Sequence, residues 1–89
     1  MARTAEWKVR LFLSEDEGTT TAQVVLDTGT SVVTGRGTAR CSPGDIDIPK
    51  IGDGLAAGRA MHDIGAQLLR TAERDIAEEA ASTGWRPRP

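Results

Sequence analysis

Three stretches that alternate apolar and polar residues, each closed by a short polar break, precede a single pattern of helical period from Ile51 to about Ala81. Alternation with period two marks half-buried strands, and a period near 3.6 marks an amphipathic helix. This order constrains the chain to the α+β class. The expected architecture is a three-stranded antiparallel β-meander, then one long C-terminal α-helix packed on one face, β-β-β-α.

The first strand reads from Glu6 to Ser14, with Trp7, Val9, Leu11 and Leu13 on one side and Phe12 out of pattern among Lys8, Arg10 and Ser14. Glu15-Asp16-Glu17-Gly18 reads as a polar turn. The second strand, Thr19 to Asp27, places Thr20, Ala22, Val24 and Leu26 together, opposite Thr21, Gln23, Val25 and Asp27. Thr28-Gly29-Thr30 is a tight reversal, and the short connections imply antiparallel neighbours. The third strand, Ser31 to Cys41, puts Val33, Gly35, Gly37, Ala39 and Cys41 on the inward side. Two inward glycines weaken a strand, so they predict close approach of a helix backbone.

Ser42-Pro43-Gly44 ends the sheet, and Pro49 keeps Ile48 extended before the helix. The helical pattern places Leu55, Gly58, Met61, Ile64, Gly65, Leu68, Leu69, Ala72 and Ile76 on the apolar side. Arg59, Asp63, Gln67, Arg70 and Arg74 lie opposite. Gly58 and Gly65 are therefore expected at the helix–sheet contact, with Asp53 as a candidate cap. Ser82-Thr83-Gly84 stops the helix. Residues 1–84 form one domain, and 85–89 form a flexible tail in which the disposition of Trp85 stays open.

At 89 residues the chain hides only roughly 60% of its extended-chain surface on folding, so a partner that covers leftover apolar surface would add stability. Its 11 basic and 13 acidic residues are interleaved and sum to −2, which leaves no broad positive footprint for nucleic acid. A single cysteine, Cys41, excludes an internal disulfide. No apolar run reaches the roughly 18 residues of a membrane span or resembles a leader, so a cytoplasmic protein is expected.

The run Ile51-Gly52-Asp53-Gly54-Leu55-Ala56-Ala57-Gly58-Arg59-Ala60-Met61, with Thr20-Thr21-Ala22 and Gly35-Arg36-Gly37-Thr38-Ala39-Arg40 upstream, resembles a family of small actinobacterial proteins of unknown function. The resemblance spans about Trp7 to Ile76 and departs at Gly54, where the family usually has glutamate, and at Gly58, more often alanine. It implies a fold like the double-stranded-RNA-binding domain (dsRBD-like) with the first helix missing, and it implies no activity. A fold alone does not license an RNA-binding function.

No catalytic constellation is evident. His62 lies at the border of the apolar arc and has no orienting partner at helical spacing. Cys41 shares the inward parity of its strand, which suits a buried, inert thiol. One His and one Cys cannot make a zinc site, Asp45-Ile46-Asp47 lacks the rest of a calcium loop, and Gly52-Asp53-Gly54 lacks phosphate-binding spacing. No cofactor and no metal are expected.

The remaining class is binding. A helix covers one face of a single sheet layer, leaving Phe12, Val25 and Val32 on the other face and the strand edges unpaired. The chain is expected to be a non-enzymatic interaction or self-association module, its partner a second copy or another protein. The alternative is a weak nucleic-acid binder using Arg59, Arg70 and Arg74 with Arg86 and Arg88. Glu15, Asp16 and Glu17 in the first turn oppose that alternative.

Overall fold

The computed structural model describes residues 2–42 and 44–88. Residue 43 of the expected break and residue 89 of the expected tail lie outside them. Three strands, β1 (Lys8–Asp16), β2 (Thr19–Asp27) and β3 (Val32–Arg40), form an antiparallel sheet in the order β1-β2-β3, and one helix, α1 (Pro49–Thr83), follows.

Both hairpins are set by local chemistry. Between β1 and β2 only Glu17 and Gly18 turn, both at positive φ (50° and 76°). Two left-handed residues match the right-handed twist of the flanking strands. Glu15 and Asp16, expected in the turn, belong to β1, and the Glu15 carboxylate accepts the Gly18 N–H at 3.0 Å. Between β2 and β3, the Asp27 carboxylate accepts the Gly29 N–H at 2.8 Å, and Thr28 N–H donates to the Ser31 carbonyl at 3.0 Å.

The register aligns rows of side chains under the helix: Val9–Leu26–Val33, Leu11–Val24–Gly35 and Leu13–Ala22–Gly37. In the last two rows side-chain bulk falls to nothing at β3. A helix laid on such a wedge settles at the thin side. A Cβ built on Gly35 would stand 2.8 Å from the Ala60 carbonyl oxygen, and one on Gly37 would collide with backbone atoms of Ala56 and Ala60. The inward glycines do admit the helix backbone, as their positions predict.

The helical side of that contact differs from expectation. The buried helix residues are Ala56, Ala60 and Ile64. Gly58 and Gly65 have nothing within 4 Å of an added Cβ, so they lie away from the sheet. Small residues are needed on the facing stripe, and alanine supplies them without glycine's loss of helix propensity. The apolar arc is rotated as a result: Leu55, Met61 and Leu69 are exposed, while Asp63 and Gln67 are half-buried toward β3.

The core consists of Ala22, Val24, Leu26, Ala39, Ala56, Ala60 and Ile64, with Val33 and Leu68 packed against it. α1 begins with Pro49 after an extended Ile48, and no side chain, Asp53 included, caps its first turn. It ends at Gly84, which takes the left-handed conformation and donates its N–H to the Ala80 carbonyl at 3.2 Å. Its 35 residues measure roughly 52 Å, against roughly 30 Å for a nine-residue strand. The last turns therefore overhang the sheet, and the molecule is 58 Å along its longest axis. Trp85 lines a shallow groove with Ala72, Asp75, Ile76 and Glu79 of the overhang and remains half exposed.

Candidate interaction surface

The helix closes one edge of the sheet and leaves the other open. Three side chains at four-residue spacing reach the free side of β3. The Arg59 guanidinium donates to the Thr38 carbonyl at 2.7 Å, the Asp63 carboxylate accepts the Arg36 backbone N–H at 2.9 Å, and the Gln67 amide donates to the Thr34 carbonyl at 2.7 Å. Positions i, i+4 and i+8 share one side of a helix, so a single stripe serves alternate residues of the strand. These are the residues that periodicity assigns to the solvated side.

β1 has no such cover. All nine of its residues are exposed, including Val9 at 52%, Leu11 at 44% and Leu13 at 44%. The register puts these three on the helix-bearing side, beside buried Leu26, Val24 and Ala22. Sequence alternation identifies their side of the sheet; the offset helix then leaves them bare. Trp7, just before the strand, is also exposed. The size gradient from Leu11 and Leu13 down to Gly35 and Gly37 is the signal that anticipates this.

The opposite sheet face carries the three residues singled out from sequence. Phe12 and Val32 are exposed and Val25 is half-buried. Val25 has Phe12 and Val32 as its diagonal neighbours, and each of the three has polar residues directly opposite it. Phe12 pairs with Gln23, Val25 lies between Arg10 and Thr34, and Val32 pairs with Asp27. The Arg10 guanidinium stands 5.2 Å from the centre of the Phe12 ring, within cation–π range.

Of the three arginines considered for nucleic acid, Arg70 and Arg74 share a shallow hollow with Gln67 and Thr71. Arg59 is engaged with the Thr38 carbonyl instead of standing free.

A cleft of about 570 Å³ lies where β3 meets the start of α1, lined by Cys41, Asp45, Asp47, Ile46, Ile48 and Leu55 among others. Cys41 is half-buried, and its Sγ lies 3.8 Å from the carbonyl oxygens of Ser42 and Asp45. Desolvation, helped by the negative charges of Asp47 and Asp45, pushes this thiol up from its ordinary value. The thiolate is the nucleophilic form, so these surroundings make the Cys41 sulfur less nucleophilic than a free thiol at the same pH. Among the described residues, no three His, Cys, Asp or Glu side chains are grouped to hold a metal ion, and no helix is long and apolar enough to cross a membrane.

A family model described as Rv2632c-like matches residues 5–84. An uncharacterized protein of Mycobacterium bovis, Mb1767, is 37% identical over 70 residues, which cover 79% of this chain and 74% of the relative. The uncharacterized Mycobacterium tuberculosis protein MT1780 matches to the same extent. The crystal structure of Rv2632c superimposes with a TM-score of 0.73 at 31% identity, covering 98% of this chain and 96% of that one.

Proposed function

The chain belongs to the Rv2632c-like family, and from that premise we propose that it is a non-enzymatic self-association module whose working surface is the bare flank of β1. One observation carries the reading: Val9, Leu11 and Leu13 occupy the helix-bearing side of the sheet yet are about half exposed. Clustered apolar side chains left in water beside a core favour burial against another surface. The edge beside them offers unpaired backbone groups, whereas the β3 edge is closed by Arg59, Asp63 and Gln67.

This relocates the interaction surface from Phe12, Val25 and Val32 to the other side of β1. Those three have only polar residues directly opposite them, Gln23, Arg10, Thr34 and Asp27, whereas Val9, Leu11 and Leu13 face Leu26, Val24 and Ala22. A cytoplasmic setting suits a chain with one free thiol.

Light scattering after gel filtration at micromolar concentration tests the reading. A mass near twice 9.5 kDa is expected; a monomer mass at every concentration up to 100 µM ends it.

The nucleic-acid alternative draws on the dsRBD-like order of elements and on the Arg70–Arg74 pair. The tip of the β1–β2 hairpin is acidic through Glu15, Asp16 and Glu17, and the net charge is −2, both unfavourable to phosphate. Titration with duplex RNA at low salt separates the readings, and binding lost at modest salt marks a nonspecific encounter.

A further inference from the structure

Resting on the self-association reading, we infer that the partner at β1 is β1 of a second copy, running antiparallel about a two-fold axis near Phe12 to give one six-stranded sheet. The charge order along the strand carries the inference. Lys8 and Arg10 stand at its start and Glu15 and Asp16 at its end, with Phe12 midway. An antiparallel pairing centred on Phe12 places Lys8 opposite the second copy's Asp16, and Leu11 opposite the second copy's Leu13. A parallel pairing instead stacks like charges at both ends, which is unfavourable. The strand is therefore complementary to itself in one orientation only, as an isologous interface requires.

Side-chain parity agrees. Lys8, Arg10, Phe12, Ser14 and Asp16 share the helix-free side, while Val9, Leu11, Leu13 and Glu15 share the helix-bearing side. The two-fold pairing keeps each set on its own side, so Leu11 and Leu13 of both copies meet in one strip between the two helices, with Val9 opposite the second copy's Glu15. β1 is nine residues long and contains no proline to interrupt a ladder. Growth stops at two copies, because the outer edge of each β3 is occupied by Arg59, Asp63 and Gln67.

A charge-reversal pair tests this. Lys8→Glu makes both members of the Lys8–Asp16 pair acidic; Asp16→Lys makes both basic. Both side chains are exposed and the hairpin contact of Glu15 is left intact, so both variants are expected to fold, with circular dichroism as the check. Each alone is expected to weaken the dimer at least tenfold in sedimentation velocity, and an equimolar mixture is expected to restore it. In a Cys41→Ser background, Phe12→Cys is expected to give a disulfide-linked dimer on mild oxidation, and Val32→Cys is not. A wild-type dimer that survives both reversals and fails to crosslink at position 12 overturns the β1 pairing while leaving self-association standing. A wild-type monomer overturns both.

Discussion

The carboxylate of Asp63, midway along α1, accepts the backbone N–H of Arg36 on the outer side of β3 at 2.9 Å. A helix side chain thus takes the place of a fourth strand. Hydrogen bonds to charged groups contribute about 1.5–3 kcal/mol when shielded, and this one is exposed, so about 1 kcal/mol is the expected cost of Asp63→Ala. Urea denaturation measures it. Asp63→Asn retains an acceptor and should lose less; equal losses for both would point to charge instead of edge closure.

Glycine substitutions should have opposite signs on the two sides of the fold. Gly37→Ala drives a methyl into backbone atoms of Ala56 and Ala60, which have no rotamer with which to yield. Overpacking of this kind costs roughly 1–3 kcal/mol, and backbone collision places it at or above the upper end. Gly58→Ala meets nothing within 4 Å and should gain about 0.5–1 kcal/mol of helix propensity. Thermal midpoints of the two variants should move in opposite directions.

Ile64 outweighs Leu68 in the core. Ile64 is buried at 4% exposure against Gly35, while Leu68 is only half-buried at the margin. Ile64→Ala should cost roughly 2–5 kcal/mol and Leu68→Ala about half as much, because a marginal site refills with solvent instead of leaving a cavity. Matched urea titrations give the comparison.

The thiol of Cys41 should alkylate more slowly in the folded protein than in denaturant at pH 8. Desolvation raises its folded-state pKa above the ordinary 9.0, and Asp47 and Asp45 add to the rise. The sign for stability follows: below pH 9 both states hold the proton and the folded state keeps its full stability. As pH climbs through the folded-state value, the unfolded chain releases its proton first and stability falls. Asp45→Asn with Asp47→Asn should recover part of the reactivity, since desolvation remains. A folded-state alkylation rate equal to the unfolded one would refute the shift.

The three strands were legible because backbone alternation is local. β2 runs from Thr19 to Asp27 as its pattern predicts, and Gly35 and Gly37 are correctly placed inward by parity alone. The helix was legible as a helix, ending at Gly84 as its composition predicts. Its orientation was not. Periodicity favours the stripe of large apolar residues, whereas the sheet presents a glycine floor that only a stripe of small side chains can approach.

Sequence by itself determined the element order, the hairpins and which residues share each side of the sheet, since all three follow from neighbouring residues and the pleat. Tertiary packing decided that Ala56 and Ala60 face the sheet, that Asp63 and its neighbours seal β3, and that β1 remains uncovered. Those outcomes depend on matching size between segments some 20 residues apart, Gly37 with Ala56 and Gly35 with Ala60. Close contact lowers the energy only where both surfaces are small, and no local pattern records that pairing.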